Sequence, residues 1–467
     1  MSLNYFLNSR NNLSIILISF FPVFFWFLIF GLSTINEPYI WDDLHFFREY
    51  TNKELIEVWY QNWDHDKIET PSYRPLAVWY YHLTYLIYGE NVILFRLFIL
   101  FLMFLLIWII NKTFIDLNFN KGVIVLFSIL IVSSKIFTTL IAWFTISTLI
   151  VCYLFAFLSI NLFMRYIDNN KIFFYFSSLF FGVLSIFIRE ELYVLPIIIF
   201  FLYFIKSEIK VKNFFSVVYR IFPFFTFVIL HLFLRNKFVP EADTFFIKNY
   251  SLYFGEKILG FGDIIKVLKS SFFPMGYPSL NNFDLYQYLL SMIWLFLIIL
   301  SIGYYFYNAG SFKIKKRNYL LFLTALFCSI PHIAIARSFG IFLPSVFIIL
   351  LVSSLIVKIY NIDLLNFNSR FNVAKNLAIL IILIGVSGGV YRSHLHLNSM
   401  SQFSLEIVHY DSQFIYMWKN LSIPEERRIK KIKHLNNLNI FSYEKDFKKI
   451  LNSSKLIISN KFSPLSF

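Results

Sequence analysis

The chain has 467 residues, of which 58% are hydrophobic and 15% are charged, whereas a soluble domain is about half apolar and a quarter charged. The apolar residues form runs of roughly 16–24 residues with almost no charge, long enough to span a bilayer as helices. The formal net charge of +15 comes mainly from basic residues between these runs, where Lys and Arg orient membrane proteins and meet anionic lipid. The composition excludes an ordinary soluble enzyme, gives no reason to expect nucleic acid as a partner, and predicts an all-α polytopic membrane protein.

The apolar runs predict about 11 transmembrane helices. Their approximate bounds are 13–32, 92–110, 122–138, 140–164, 172–188, 192–205, 221–239, 286–307, 318–335, 340–357 and 376–391. We expect a transmembrane module over residues 1–391, with long outer loops at about 33–91 and 240–285. The mostly polar residues 392–467 follow it as a C-terminal segment.

The distribution of Lys and Arg predicts the orientation of the chain. The first run is too long for a signal peptide and lacks a small-residue cleavage pattern, so we expect an uncleaved first span. With the N-terminus in the cytoplasm, every cytoplasmic connection is basic, whereas the short outer connections carry only Lys135, Arg189 and Arg337. This predicts a multi-pass protein of the plasma (inner) membrane. The C-terminal segment is then extracytoplasmic, even though it contains a basic stretch at 427–433.

The first outer loop contains a helical pattern over residues 43–61. Apolar side chains recur along one face of this helix and aromatic side chains flank them, as is typical of a helix lying along a membrane surface. The apolar positions are Leu44, Phe47, Leu55, Val58 and Trp59, and the flanking positions are Trp41, Trp59, Tyr60 and Trp63. We therefore expect an interfacial helix after the first span.

Two adjacent aspartates, Asp42 and Asp43, and the nearby His45 follow the first span. Neighbouring carboxylates at a membrane surface repel each other and lose hydration, which makes one of them more basic and suits it to act as a general base. Aspartate is equally ordinary at the first positions of a solvated helix. The pattern alone leaves both interpretations open.

Single arginines mark two other outer positions. Tyr73 and Arg74 lie between two prolines, which stiffen the chain where it re-enters the membrane. Arg337 lies at the outer end of the tenth predicted span. Each guanidinium is suited to bind a phosphate group, and each is also typical of an anchor in the lipid headgroup layer.

Three consecutive charges, Arg189, Glu190 and Glu191, occupy the short turn between the fifth and sixth predicted spans. Ionisable groups at the edge of the hydrocarbon are costly unless they are paired or functional. A structural ion pair and a binding site are therefore both consistent with this turn. All four clusters fall on the outer side in the orientation that the basic residues predict, which favours one shared site.

Other catalytic patterns are absent from the sequence. His82, His231 and His332 are isolated, and no C-x-x-C, H-x-x-x-H or H-E-x-x-H spacing predicts a zinc site. No G-x-S-x-G string predicts a serine hydrolase. Both cysteines, Cys152 and Cys328, lie inside apolar runs and predict no disulfide framework.

Taken together, the four clusters resemble the GT-C superfamily of membrane glycosyltransferases. Residues 41–46, Trp-Asp-Asp-Leu-His-Phe, are similar to the Asp-Glu-x-His-Phe segment after the first span of protein O-mannosyltransferases. Residues 73–76 resemble the second half of the same loop, which has related forms in the aminoarabinose transferases of lipid A. Residues 189–196 and 337–345 are similar to the Lys-Glu…Leu-Pro turn and the Arg-Tyr-x-Tyr-Leu-Pro-Ser string of the tetratricopeptide-bearing O-mannosyltransferases.

The resemblance implies an inverting glycosyltransferase whose donor is a sugar on a polyprenyl or dolichyl phosphate. It assigns Asp42 as the base for the acceptor hydroxyl, with Asp43 and His45 orienting it. Asp43 stands where the mannosyltransferases have Glu. Arg337, with Arg189 as second choice, stabilises the leaving phosphate.

The same resemblance implies the remaining binding residues and partners. Tyr73 and Arg74 contact substrate, and Glu190 or Glu191 holds sugar hydroxyls or fixes an arginine. Some GT-C enzymes use a divalent cation and others do not, so Mg or Mn on Asp42, Asp43 and Glu191 is an optional cofactor. The acceptor is a lipid, a glycan or a protein, and the action is in cell-envelope glycosylation.

Three other classes of function remain open. A polysaccharide polymerase or ligase also uses lipid-linked sugars, but it usually relies on a late outer loop rich in Arg and His, which residues 240–285 lack. A transporter or lipid flippase usually places ionisable residues near the bilayer midplane and contains repeats with broken helices. A structural membrane scaffold is the least specific alternative.

Overall fold

The computed structural model describes residues 10–31, 46, 50–63, 72–88, 91–206, 214–240, 271, 285–309, 316–330, 341–362, 373–401, 405–410 and 413–418. The helices are α1 (Arg10–Trp26), α2 (Asn52–Glu57), α3 (Pro75–Tyr88), α4 (Val92–Asp116), α5 (Lys121–Ser133), α6 (Lys135–Ala142), α7 (Ser147–Asn169), α8 (Ile172–Ile188), α9 (Leu195–Lys206), α10 (Phe214–Phe238), α11 (Leu285–Ala309), α12 (Lys316–Ser329), α13 (Phe342–Ile362) and α14 (Val373–Ser401). A π-helical turn, Phe27–Gly31, extends α1, and a 3-10 helix, Glu190–Val194, precedes α9. Strands β1 (Leu405–Tyr410) and β2 (Gln413–Trp418) follow α14.

Several of these helices are suited to cross a membrane by length and composition. Within the described residues, five helical segments pass this test, and a sixth is reached if α5 and α6 count as one bent span. The five are Leu13–Gly31, Val92–Asp116, Ser147–Asn169, Phe215–Phe238 and Asn376–Leu397. Shorter apolar helices are Ile172–Ile188, Tyr288–Leu300 and Phe342–Lys358. The helical multi-pass architecture is therefore confirmed, whereas the number of about 11 spans stays a prediction.

Helix α7 lies at the centre of the bundle and packs against both α4 and α8. Where α7 and α8 meet, the Ser159 hydroxyl donates to the Ser178 carbonyl (2.8 Å) and the Ser178 hydroxyl to the Ser159 carbonyl (2.7 Å). Small residues let membrane helices approach closely, and hydroxyls satisfied across the contact avoid an unpaired polar group in an apolar interior. This pair of bonds fixes the middle of α8 against α7.

Helices α1, α5 and α14 meet along one side of the bundle. Asn111 of α4 donates from Nδ2 to Ser19 of α1 (2.9 Å) and Ser128 of α5 (2.8 Å). Near the end of α5, Gly389 of α14 lies so close that a Cβ there would be 2.5 Å from the Ser133 carbonyl oxygen. The backbones of α5 and α14 touch here because the glycine has no side chain.

The break between α5 and α6 differs from the predicted spans 122–138 and 140–164. Ser134 is extended (φ −72°, ψ 148°), and the two helices it separates are bent by 57°. Its hydroxyl donates to the Ile131 carbonyl and accepts from the Phe137 amide, which satisfies groups at both helix ends. Ser134 itself carries no charge, so the charge of Lys135 is the signal that a hydropathy reading offers for this break.

The predicted interfacial helix over residues 43–61 is wrong in its extent. Within the described residues, α2 begins at Asn52 because Thr51 is extended (φ −69°, ψ 155°) and forms a capping box with Glu54. Trp63, which we expected at headgroup depth, is buried and stacks on Phe46 with ring centroids 4.4 Å apart. The Thr-x-x-Glu spacing was the sequence signal for this later start.

The C-terminal segment begins differently from its prediction. Helix α14 continues to Ser401, past the expected boundary at 391, and an antiparallel hairpin follows it. Leu405 pairs with Trp418 and Tyr410 pairs with Gln413, so two residues connect the strands. Strands rich in β-branched and aromatic residues, with a two-residue connection, are typical of a hairpin. The all-α prediction missed this hairpin.

Gly389→Ala should destabilise the bundle, because the added methyl group would force α5 away from α14. We expect the melting temperature of the purified protein in detergent to fall by an amount that corresponds to about 1–3 kcal/mol. Gly122→Ala is the matched control, since a Cβ there meets its nearest atom, Asn120 Oδ1, at 3.4 Å. Equal melting temperatures for the two variants would contradict the close approach.

Candidate functional site

The turn between α8 and α9 places three charged side chains at one end of the bundle. Helix α8 ends at Ile188, Arg189 is extended (φ −151°, ψ 130°), and Glu190 and Glu191 open the 3-10 helix. Pro196 lacks a backbone N–H and is tolerated in the first turn of α9. The chain therefore reverses direction within a few residues, and its charges stay at that end.

Glu190 binds groups from two distant parts of the chain. Its Oε2 lies 3.3 Å from Arg74 Nη2, and its Oε1 accepts from the Tyr73 amide (3.1 Å) and lies 3.6 Å from Arg235 Nε. The exposed fractions of the Arg74, Glu190 and Arg235 side chains are 12%, 10% and 9%. Charges this deeply buried are stable only when paired, and Glu190 is the carboxylate that both arginines contact. We call Arg74, Glu190 and Arg235 the Glu190 cluster.

Arg74 is held in place by the first outer loop. Its guanidinium carbon lies 4.9 Å from the centre of the Trp63 ring, and the Trp63 amide donates to the Ser72 carbonyl (3.1 Å). The Tyr73 hydroxyl donates to the Trp59 carbonyl (2.8 Å). The loop therefore presents Arg74 to Glu190 on a fixed backbone. Burial raises the pKa of the Tyr73 hydroxyl, which keeps it protonated as a donor.

Arg189 and Glu191 form a second ion pair in the same turn. Arg189 Nε lies 3.6 Å from Glu191 Oε2, and the Arg189 side chain is only 5% exposed. That separation is an ion pair rather than a hydrogen bond, and Arg189 Nε makes no hydrogen bond within the described residues. Among the described side chains, the Glu190 cluster and this ion pair together contain three arginines and two glutamates.

His231 of α10 completes the surroundings of Tyr73. Its Nδ1 lies 2.7 Å from the Tyr193 hydroxyl, and its ring centroid lies 5.2 Å from that of Tyr73 and 4.9 Å from that of Phe187. Burial raises the pKa of the Tyr193 hydroxyl, so this group also remains protonated. His231 is isolated in the sequence, but the fold brings it beside the 3-10 helix.

Helix α3 connects the loop to the start of α7. The Tyr81 hydroxyl donates to the Thr145 carbonyl (2.6 Å), and the Tyr80 hydroxyl donates to Ser147 Oγ (2.9 Å). Arg96 of α4 lies over the Phe144 ring at 4.5 Å. The 143–146 connection, the α8–α9 turn and the loop before α3 therefore lie at one end of the bundle, which we call the site end.

The structure brings together some of the predicted site residues. Tyr73 and Arg74 meet Glu190, and Arg189 pairs with Glu191. Their roles stay predictions. Four other predicted residues lie outside the described part of the chain: Asp42, Asp43, His45 and Arg337.

Arg235 and Tyr193 were missed by the sequence analysis. Arg235 lies in the last turn of α10, where a basic side chain is ordinarily taken for a membrane anchor or a partner of the helix dipole. Tyr193 is one aromatic residue among many in the apolar runs. Only the packing of α10 against the turn shows that both side chains point into the site.

A divalent cation is not supported by the described part of the site. No three His, Cys, Asp or Glu side chains among the described residues are grouped as metal ligands would be. Glu191 faces Arg189, and Glu190 faces two arginines. A cation with these ligands would have to displace an arginine from each carboxylate. The predicted set of Asp42, Asp43 and Glu191 therefore stays an untested hypothesis.

The chain is similar in fold to archaeal oligosaccharyltransferase AglB from Archaeoglobus fulgidus in complex with an inhibitory peptide and a dolichol-phosphate (11% identity, TM-score 0.44). It is also similar to the oligosaccharyltransferase of that organism tethered to an acceptor peptide containing the NVT sequon (14% identity, TM-score 0.47). These alignments cover 94% and 92% of this chain but only 60% and 58% of the other chains. The chain therefore spans about three fifths of the length of the proteins it matches.

No protein-family model and no curated protein matches the sequence. The similarity to the two solved oligosaccharyltransferase structures is one of fold alone. At TM-scores below 0.5, the function has to be argued from the side chains of this chain itself.

Glu190→Gln should destabilise the site end, because it removes the buried carboxylate charge that both Arg74 and Arg235 contact. We expect a loss of about 3 kcal/mol, seen as a lower melting temperature in detergent. Glu57→Gln is the matched control, since the Lys53 partner of Glu57 is 82% exposed and such surface pairs contribute little. Equal melting temperatures for the Glu190→Gln and Glu57→Gln variants would show that Glu190 does not stabilise the two arginines.

Proposed function

We propose that this protein is an inverting membrane glycosyltransferase. It moves a sugar from a polyprenyl-phosphate donor to an acceptor hydroxyl at the outer face of the membrane. The observation that supports this proposal is the Glu190 cluster, in which Arg74 and Arg235 share one buried carboxylate. Two guanidinium groups gathered at the end of an apolar helical bundle are suited to a ligand with an anionic head group and an apolar chain.

The site is rich in hydrogen-bond donors. Arg74 Nε and Arg189 Nε are buried and make no hydrogen bond within the described residues. Charge-assisted bonds from guanidinium groups to phosphate oxygens are among the strongest in proteins, and donors placed where negative charge develops lower a reaction barrier. A sugar phosphate that leaves as a phosphate anion develops its charge on such oxygens.

In the proposed reaction, the acceptor oxygen forms a bond to the anomeric carbon of the sugar. The bond between that carbon and the phosphate oxygen breaks, and polyprenyl phosphate leaves with the electron pair. The Asp42 carboxylate takes the proton of the acceptor hydroxyl. Attack from the side opposite to the phosphate inverts the configuration at the anomeric carbon.

The roles of the other residues are taken from the resemblance to GT-C glycosyltransferases, except that the role of Glu190 is taken from its contacts. Asp43 and His45 orient the base or the acceptor, and Arg337 stabilises the leaving phosphate, with Arg189 second. Glu190 is engaged by two arginines and a backbone amide. A carboxylate held in this way fixes the two guanidinium groups, so Glu190 acts as a positioning residue.

The placement of the site at the outer face is supported by the distribution of Lys and Arg between the apolar runs. If the N-terminus is cytoplasmic, α1 runs outward and the site end faces the outside. Lipid, glycan and protein hydroxyls are then all accessible as acceptors. A mixed acceptor panel is therefore part of the test.

Asp42→Asn should abolish sugar transfer while donor binding is kept, because the amide has no basic oxygen for the acceptor proton. Wild type and variants are reconstituted in liposomes with radiolabelled polyprenyl-phosphate sugars and with lipid, glycan and peptide acceptors. We expect turnover by Asp42→Asn to fall by a factor on the order of 100 or more. For Arg74→Gln we expect weaker donor binding as well as slower transfer.

Asp168→Asn is the matched control for this assay. Asp168 pairs with Lys206 at the opposite end of α7, and its side chain is 49% exposed. This variant should keep wild-type turnover. Full turnover by Asp42→Asn would remove Asp42 from the mechanism, and no transfer by wild type from any donor in the panel would overturn the proposed function.

A transporter or lipid flippase is the second candidate, because α5 and α6 form a bent pair and broken helices are typical of transporters. The same liposomes separate the two functions. A flippase moves a fluorescent polyprenyl phosphate across the bilayer without changing its covalent structure. A polymerase would instead add many sugar units to one acceptor, which mass spectrometry of the product would show.

A further inference from the structure

His231 of α10 is a buried polar side chain that the proposed reaction does not use. The residue is fully buried, and its Nδ1 lies 2.7 Å from the Tyr193 hydroxyl. Because burial raises the pKa of Tyr193, this hydroxyl stays protonated and is able to donate to a neutral imidazole. Removing an imidazole from water is costly unless it is hydrogen-bonded, so this bond constrains how α10 packs against the 3-10 helix.

The hydrogen bond lies one turn away from the ion pair between Glu190 and Arg235. Glu190 and Tyr193 are three residues apart and share a face of the 3-10 helix, which has three residues per turn. Arg235 and His231 are four residues apart and share a face of α10. Glu190 meets Arg235, and Tyr193 meets His231 one turn further along. The two elements therefore run antiparallel here, and these two contacts set their register.

The two contacts differ in how strictly they fix this register. Glu190 Oε1 lies 3.6 Å from Arg235 Nε, which is an ion pair beyond hydrogen-bond distance. The separation of 2.7 Å between Tyr193 and His231 is that of an ordinary hydrogen bond. Coulomb attraction varies slowly with distance, whereas a hydrogen bond depends steeply on distance and angle. The bond between Tyr193 and His231 is therefore the stricter of the two contacts.

Helix α10 also fixes the residue that precedes Arg74. His231 and Phe238 are seven residues, or two turns, apart on one face of α10. Their ring centroids lie 5.2 Å and 6.1 Å from that of Tyr73, whose side chain is buried. The Tyr73 amide donates to Glu190 Oε1. A displacement of His231 would therefore move Tyr73, and with it the backbone that presents Arg74.

We propose that His231 and Tyr193 are positioning residues for the phosphate of the lipid-linked donor. Their hydrogen bond holds the 3-10 helix in register with α10, and this register sets the separation of the Arg74 and Arg235 guanidinium groups. A phosphate accepts from both groups only when both are correctly oriented, because charge-assisted hydrogen bonds are directional. The identity of the ligand rests on the proposed function. The two side chains act on the phosphate through the arginines, without contacting it.

The test measures phosphate binding first and sugar transfer second. Full-length protein in neutral detergent is titrated with polyprenyl phosphate under native mass spectrometry, and donor and acceptor KM are then measured in liposomes. Tyr193→Phe removes the hydroxyl and His231→Phe removes Nδ1, and each variant keeps an aromatic ring. We expect each to raise the dissociation constant of polyprenyl phosphate and the donor KM by a factor on the order of 10, with the acceptor KM unchanged.

Two further variants separate positioning from a general loss of stability. The Tyr175 hydroxyl donates to the Arg220 carbonyl (2.9 Å) and joins α8 to α10 at the opposite end of both helices. Tyr175→Phe should therefore lower the melting temperature about as much as Tyr193→Phe does, and should leave polyprenyl phosphate binding unchanged. His231→Asn keeps an acceptor close to the position of Nδ1, so we expect it to bind more tightly than His231→Phe.

The double variant with phenylalanine at positions 193 and 231 should bind as tightly as either single variant, because both changes remove the same bond. Wild-type affinity in both single variants would overturn the inference, as would losses that add in the double variant. An equal loss of affinity in Tyr175→Phe would show an effect of stability alone and would also overturn it. So would a wild type that does not bind polyprenyl phosphate.

The proposed function fails in a different way. If wild type binds polyprenyl phosphate and the two phenylalanine variants bind it more weakly, the positioning role stands even when no sugar is transferred. The absence of transfer from any donor would then remove the glycosyltransferase activity alone.

Discussion

The carboxylate of Glu190 is the contact on which the geometry of the site end depends. It joins the loop before α3, the turn between α8 and α9 and the last turn of α10, which lie more than 40 residues apart in the sequence in each case. Neither arginine is stable in this position alone, since a buried charge needs a partner. Because each of the three side chains depends on the same contact, the loop, the turn and α10 are expected to be ordered together.

Much of the fold was predictable because a bilayer constrains sequence strongly. Every backbone group in hydrocarbon must be bonded internally, so a long apolar run becomes a helix. The sequence-based prediction of helix bounds fails where a small uncharged side chain caps a helix and the backbone becomes extended. Ser134 ends α5 by capping α6, and Thr51 delays α2 by capping it with Glu54. Neither residue is charged itself, and a reading of helix caps would find both.

The site was predictable only in part, because the sequence does not show which charged side chains meet. Arg74 and Glu190 were recognisable because charges at the edge of an apolar run are unusual. Arg235 is just as charged, but a basic residue at the end of a helix has a common structural explanation. The sequence shows which charges are present, whereas their pairing is set by which helix ends meet in space. Arg235 belongs to the site because α10 packs against α8 and α9.

The described groups around the Glu190 cluster are mainly hydrogen-bond donors, so they favour a ligand that accepts hydrogen bonds. The tyrosines at 73 and 193 are kept protonated by burial, the arginines are permanently charged, and the glutamates are already engaged by those arginines. The described part of the site therefore offers mainly hydrogen-bond donors. Both described glutamates face arginines, whereas phosphate oxygens accept from several donors at once. The chemistry of the site end thus favours an anionic ligand over a cation or a neutral amine.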